Sequence, residues 1–298
     1  MRELPTAQMA HPSCLYGLTM HRTLEGVDAD RLEQSCDAIR LGAGPPGIEH
    51  AAVRLSGPGF SPHRHDTYAV GVTLAGVQVF RYRGSRRVCL PGQLHVLHPD
   101  ELHDGGPGTD EGFAYRILYI DPGLVGQALG TGTLPFVTEP VQHGPSAVAA
   151  VQDVLARLDD PACDVAAAEV AATIADVLVR LAGGQTLDTG PVDHAAMARV
   201  REYLGDHAPD QTPAATLELI AGHDRYTIAR QFRRAYGTSP DRFRTMRRLE
   251  LARAAVAGGT PLARAAAECG FADQSHMTRQ FVRAYGMTPG RWARSAVA

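Results

Sequence analysis

The feature that most restricts what this chain can fold into is a fourteen-residue segment that occurs twice. Residues 230–243 read RQFRRAYGTSPDRF and residues 279–292 read RQFVRAYGMTPGRW, offset by 49 positions with nine of the fourteen identical. A repeat of two is too short for a solenoid, which needs about three or more stacked units, so one small module has been duplicated. In each copy apolar residues recur at i, i+4 and i+8: Ile228, Phe232, Tyr236, then Met277, Phe281, Tyr285. That spacing predicts a helix with a narrow apolar stripe. Arginines take the other faces: Arg225, Arg230, Arg233 and Arg234 in the first copy, Arg279 and Arg283 in the second. Gly237 and Gly286 stand where a helix C-terminus expects glycine. Ser239-Pro240 and Thr288-Pro289 then read as an N-cap followed by proline at the first position of a further helix.

Each basic helix is preceded by a short apolar one. Leu217, Ile220 and Ala221 run to Gly222, with Asp224 as the next cap; Leu262, Ala265, Ala266 and Cys269 run to Gly270, with Asp273 as cap. Short helix, glycine turn and basic helix make a helix-turn-helix, whose second helix enters the major groove of duplex DNA. A single copy reads equally well as a helical hairpin with a solvated arginine face; two copies capped alike favour DNA. The first turns of such a helix face base edges. The expected readers are therefore Arg225, Tyr226, Ala229 and Arg230 in the first copy and Gln274, Ser275, Thr278 and Arg279 in the second. Arg233, Arg234 and Arg283 lie further along and are expected on phosphates, which position without specifying. The segment Leu217–Arg294 resembles the C-terminal domain of the AraC (arabinose-regulator) family of bacterial transcription regulators, most closely in Gly270–Arg294, GFADQSHMTRQFVRAYGMTPGRWAR. The resemblance implies two such motifs joined by a rigid linker helix, here about residues 242–257, with Met246, Leu249 and Val256 facing inward.

Charge agrees with that division. The formal net charge of −3 hides +7 over residues 210–298 and −10 over residues 1–209, and all 29 cations are arginine. A basic third beside an acidic remainder points to a polyanionic partner for one domain only. The five cysteines (Cys14, Cys36, Cys89, Cys163, Cys269) are scattered without a C-x-x-C pair, which argues against a disulfide framework or zinc ribbon and for a reducing cytoplasm. No run of about 18 apolar residues predicts a membrane span, and no signal peptide is evident at the N-terminus.

At 298 residues the chain fits two domains. The expected division is an N-terminal arm over 1–49 with little order, an effector-binding and dimerisation domain over 50–184, a linker over 185–191 (QTLDTGP), and a DNA-binding domain over 192–298. The expected class is α+β: an N-terminal β-barrel, cupin- or jelly-roll-like with flanking helices, then an all-α domain with two helix-turn-helix motifs. From Ala51 to Asp121 short runs rich in Val, Thr, Tyr and Phe alternate with turns at Gly76, Arg83-Gly84-Ser85, Pro91-Gly92 and Pro99-Asp100. Residues 122–145, dense in glycine and proline, read as loop-rich. Val148, Val151, Leu155 and Leu158, then Val170, Ile174, Val177, Leu178 and Leu181, predict two helices that either cover the barrel or form a dimer face.

Histidines cluster in the β region: His63, His65, His95, His98 and His103. On a strand His63 and His65 share a face, while His95 and His98 point to opposite faces. The run from Pro62 to Gly105 resembles the effector-binding cupin domain that precedes the DNA-binding domain in AraC-family regulators. That resemblance implies that His63, His65, Tyr68 and His103 line the mouth of a barrel holding a small molecule. No cofactor is firmly expected. A divalent metal on His63, His65 and His103 is the sharper alternative. The Glu that metal-binding cupins carry a few residues after the histidine pair is missing, since Tyr68, Ala69 and Val70 stand there. The expected function is sequence-specific transcriptional regulation, not enzymatic, under a small polar or aromatic effector. The expected partners are double-stranded DNA, the effector and a second copy of the chain, with RNA polymerase a further candidate and no membrane. The alternatives are a ligand-independent dimeric regulator and a metal-dependent cupin enzyme.

Overall fold

Alternating side chains decide the N-terminal half. The computed structural model describes residues 37–130, 133–160, 163, 165–184 and 191–297. Residues 1–36 of the expected arm, and 185–190 of the expected linker, lie outside the described residues. The chain forms β1 (Asp37–Ala43), β2 (Ile48–Leu55), β3 (Phe60–His63), β4 (Tyr68–Gly76), β5 (Gln78–Tyr82), β6 (Ser85–Cys89), β7 (Leu94–Leu97), β8 (His103–Pro107), β9 (Phe113–Ile120) and β10 (Val141–Gln142). Ile117 and Tyr115 on β9 face one way, into a core with Val53, Phe80 and Leu97, whereas Leu118 and Ile120 face the other, beside Tyr68, Val70 and Leu94. This is period-2 alternation in a sheet buried on both sides. Arg83 (φ 50) and Gly84 (φ 76) supply two successive positive φ values at the β5–β6 hairpin, the pair a two-residue type I′ turn requires.

The strands make two facing sheets, not one closed barrel. One has seven strands in the order β10-β7-β4-β9-β2-β1 and then a C-terminal β11 (Ala296–Val297), the other four in the order β3-β8-β5-β6. One edge of each is occupied by the C-terminal half. The amide of Ser61 donates to Gly286 O at 2.7 Å and that of Arg64 to Arg283 O at 2.9 Å. On the large sheet, β11 (Ala296–Val297) pairs in parallel with β1, Ile39 opposite Ala296. An edge strand satisfied in this way has no need to close on itself.

Two expectations are corrected here. The stretch from Asp37 to Glu49 is ordered, as β1 and the start of β2, paired from Asp37↔Leu55 to Ala43↔Glu49. The Gly-Pro-Pro-Gly turn overshadowed the Ile39, Leu41 alternation before it. Residues 122–145 are not all loop, because Pro122–Leu129 is helix α1. Asp121 caps it by accepting from Gly123 N, Pro122 opens it and Gly130 closes it in the left-handed region. Gly123 and Gly126 lower its propensity, which tertiary packing overrides.

Helices α2 (Pro145–Asp159) and α3 (Ala167–Ala182) cover the outer face of the large sheet. Val148, Val151, Leu155, Val170, Ile174, Val177 and Leu178 are all buried there, so these stripes serve as cover for the sheet. The C-terminal half runs α4 (His194–Asp206), α5 (Ala214–Ala221), α6 (Arg225–Tyr236), α7 (Pro240–Ala257), α8 (Leu262–Glu268), α9 (Gln274–Tyr285) and α10 (Pro289–Ser295). The duplicated caps form as expected. Asp224 accepts from Tyr226 N and Thr227 N, Asp273 from His276 N, and Ser239 from Arg242 N, while Gly237 and Gly286 take φ of 70 and 68. Met246, Leu249 and Val256 face inward from the linker helix α7.

The two motifs differ in what they pack on. Ile228 and Phe232 of α6 share a separate core with Met197, Val200 and Leu204 of α4. Met277 and Phe281 of α9 belong to one continuous core with the interior of the β domain. Among the described residues no helix is long and apolar enough to cross a membrane.

Candidate ligand cavity and DNA-reading face

Between the two sheets and the C-terminal helices lies a cavity of about 410 Å³. Its β walls include Ile39, Phe80, His95, Ile117 and Tyr119; its roof comes from α7 (Met246, Arg247, Glu250, Arg253) and from the second helix-turn-helix (Tyr285, Met287, Trp292). Gly71 makes room for the His95 ring, since a Cβ there would lie 2.4 Å from His95 Cε1.

His63, His65 and His103 do come together at this cavity, with ring centroids 4.2 Å apart for His63–His103 and 4.8 Å for His65–His103. Each Nδ1 lies against a backbone carbonyl: His63 on Ser61 at 2.8 Å, His65 on Thr67 at 2.9 Å, His103 on Glu101 at 2.9 Å. A carbonyl only accepts, so each Nδ1 carries the proton and each neutral ring presents Nε2 as an acceptor. Burial holds all three rings well toward neutral, with His103 brought down to about 4, and mutual repulsion adds to this at His63 and His65. His65 Nε2 is buried with no partner among the described residues. Among the described residues no group of three or more His, Cys, Asp or Glu has the arrangement to hold a metal ion. His63, His65 and His103, though close together, are thus not arranged as the metal ligands of the sharper alternative.

Tyr68 is not at the cavity. Its hydroxyl donates to Pro135 O at 2.8 Å on the helix-covered side of the large sheet, because β4 alternation turns Tyr68 away from the interior. His98 is likewise structural: its Nε2 accepts from Val137 N at 2.9 Å, and its Nδ1 meets the Tyr82 hydroxyl at 2.7 Å. His95 is the member of that pair which lines the cavity.

Sequence reasoning missed the charged roof. Arg253 donates to both carboxylate oxygens of Glu49, one of them at 3.0 Å. Arg247 pairs with Asp66 at 3.0 Å and with Glu250 at 2.8 Å. Burial pushes the Glu250 carboxyl up to about 7, with Arg247 opposing. Only a fold that lays α7 over the sheets brings residues about 200 positions apart into one wall, and no local pattern signals it.

Further acid–arginine pairs hold the halves together: Asp37–Arg291 at 3.4 Å, Asp100–Arg233 at 3.8 Å, Asp100–Arg242 at 3.9 Å, and Asp121–Arg201. The Arg242 guanidinium also donates to Arg64 O. The third stripe position of each motif docks on the β half. The Tyr236 ring lies beside Gly123, and Tyr285 lines the cavity with Arg253 over its ring at 5.4 Å.

The face expected to read DNA is largely open. Arg225, Tyr226, Ala229 and Arg230 of α6, and Gln274, Ser275, Arg279 and Arg283 of α9, are exposed; Thr278 is half-buried. Tyr226 keeps 77% of its surface accessible, unusual for an aromatic ring. Arg225 is held by Glu218 at 2.9 Å, and Arg230 donates to the Thr227 hydroxyl at 3.2 Å. Arg233, expected on phosphate, reaches Asp100.

Comparison with known proteins gives two family matches. Residues 45–175 match the AraC-like ligand binding domain and residues 219–295 a helix-turn-helix domain. An uncharacterized HTH-type transcriptional regulator, YbfI of Bacillus subtilis, is 24% identical over 239 residues, 78% of this chain and 87% of its own. The fold is similar to that of ToxT from Vibrio cholerae, with a TM-score of 0.62 at 10% identity over 85% of this chain and all of that one. It is similar too to unsaturated fatty acid-bound wild-type ToxT, with a TM-score of 0.60 at 10% identity over 86% and 98% of the two chains.

Proposed function

The chain belongs to the AraC family of transcriptional regulators, and from that premise we propose that it reads DNA with α6 and α9 under the control of a small molecule held in the interdomain cavity. The observation that carries this reading is the composition of the cavity wall, part sensor sheet and part DNA-binding helix. A ligand there touches α7 and the second motif directly. Any ligand that fits the docked arrangement better or worse than a displaced one shifts the population between them. The contacts proposed for base edges are Arg225, Tyr226, Ala229 and Arg230 with Gln274, Ser275, Thr278 and Arg279; Arg233 and Arg283 are assigned to phosphates. The effector residues are His63, His65 and His103, joined by Glu49, Asp66, Arg247, Glu250 and Arg253. The sensor is taken to begin at β1 and the DNA-binding domain at residue 192.

The same reading makes this a cytoplasmic binding protein and not an enzyme. Family membership supports a homodimer and a contact with RNA polymerase; sedimentation of the full chain tests the dimer. Selection of bound sequences from random duplex, with and without a library of metabolites, tests the central reading. An enriched motif whose affinity changes with one compound is the expected result. A chain that enriches no sequence in any condition would overturn it.

A further inference from the structure

The charged groups of the cavity are unequally matched, and this bears on what the cavity can take. Its roof and near wall hold two arginines, Arg247 and Arg253, against three carboxylates, Glu49, Asp66 and Glu250. Glu49 occupies Arg253 from both oxygens, and Arg247 is divided between Asp66 and Glu250. With all five ionised the wall carries one uncompensated negative charge. That charge is open to the cavity at Glu250, whose side chain keeps 41% of its surface accessible while Asp66 keeps 5% and Arg247 22%. Of the remaining lining acids, Asp104, across the cavity, is engaged by the Arg81 amide at 2.6 Å, a neutral donor, and Asp121 is paired with Arg201 outside the lining.

The imidazole end points the same way. His63, His65 and His103 spend their ring protons on backbone carbonyls and offer acceptors. His65, 7% exposed, and His95, 1% exposed, each keep a buried ring nitrogen with no partner among the described residues. Both ends of the cavity therefore call for hydrogen-bond donors, and one end calls for positive charge. An incoming carboxylate would have to take an arginine from its partner, leaving a buried acid unpaired, and would face lone pairs at the imidazoles.

Resting on the reading of this cavity as the effector site, we propose that it receives a small organic cation, an amine whose N–H donors meet Glu250 and the imidazoles and whose apolar or aromatic body lies among Ile39, Phe80, Ile117 and Trp292. Tyr119 and Trp292 add ring faces that attract a cation. The volume of about 410 Å³ suits a body of one aromatic ring or a short alkyl chain. This chemistry is opposite in charge to the fatty acid named with ToxT.

The test uses the full chain and two matched sets of probes: 2-phenylethylamine, 2-phenylethanol and 3-phenylpropanoate, then hexylamine, hexanol and hexanoate. Binding is read by thermal shift and by calorimetry. The expected result is saturable stabilisation by an amine of at least one set, at least tenfold tighter than by its alcohol or carboxylate. Glu250→Gln and Asp66→Asn should each lose about tenfold or more of that affinity, while Arg264→Ala, on the surface of α8, retains it. A carboxylate or alcohol that binds as tightly as its amine overturns the charge assignment and leaves the effector reading standing. Amine binding untouched by both Glu250→Gln and Asp66→Asn overturns the assignment too. Absence of binding in every arm overturns the inference, and the metabolite-dependent DNA selection then decides separately whether the effector reading survives.

Discussion

Glu250 sits one helical turn from Arg247 and one from Arg253, and its carboxyl is raised by burial to about 7, against an ordinary 4.5. Asp66 and Glu49 add to the rise, while Arg247 and Arg253 oppose it. A carboxyl that holds its proton more tightly folded than unfolded contributes stability that is complete below about pH 4.5 and lost as pH rises through about 7. The buried imidazoles act in the opposite sense. With His95 and His98 lowered to about 3, stability is lost as pH falls below the ordinary 6.5. The imidazoles should therefore lower the thermal midpoint as pH falls below about 6.5, and Glu250 should add its own loss as pH rises through about 7. Glu250→Gln should flatten only the alkaline limb, as circular dichroism melts at a series of pH values would show. In the DNA-reading face, Arg279→Ala should relax preference at one base position, at a cost of about 1–3 kcal/mol of discrimination. Arg283→Ala should weaken specific and random duplex alike. Equal losses on both kinds of DNA for both variants would end this division of roles. The proposed readers stand out in the sequence because they lie on a repeated helix, and all but Thr278 are exposed. Tyr68 was misplaced because its neighbours alternate faces and a one-residue offset reverses them.

At the scale of elements, the capped helices are the most self-sufficient part of the molecule. Asp224 and Asp273 each satisfy helix N-terminal amides that would otherwise lack a partner. Asp224→Ala and Asp273→Ala should each cost about 1 kcal/mol of stability, read from denaturant melts. Phe281→Ala should cost about 3–5 kcal/mol. Because Phe281 belongs to the core continuous with the sheets, that variant should also loosen the β half, visible as faster amide exchange in β1 and β2. Phe232→Ala, in the separate core of the first motif, should leave exchange in those strands unchanged. Caps, stripes and glycine stops are local, so these helices could be read from sequence. Helix α1 was not, because two glycines in eight residues hid a segment held by packing and by its Asp121 cap.

Across the whole molecule, the acidic and basic halves meet through ion pairs as well as through the cavity. Asp100, beside Arg233, Arg242 and Arg64, engages Arg233 of α6, the arginine proposed to meet a phosphate. Asp100→Asn should raise the affinity of the full chain for random duplex a few-fold in dilute salt, with the gain vanishing as salt screens both contacts. Fluorescence anisotropy titrations at two salt concentrations would show it. An unchanged affinity would mean that Arg233 takes no part in binding DNA.

The amino-acid sequence by itself determined the duplicated reading module, the caps and stops of its helices, the alternation of the β half and the opposite charges of the two halves. Each of these is written in neighbours within one or two turns or strands, where local sterics and periodicity act. Tertiary structure alone decided that the sheets remain open, that the second motif fills the gap, and that Glu49 and Asp66 meet Arg253 and Arg247 over a shared cavity. Those contacts join residues far apart in the chain, and only the packing of one half on the other sets the distance between them.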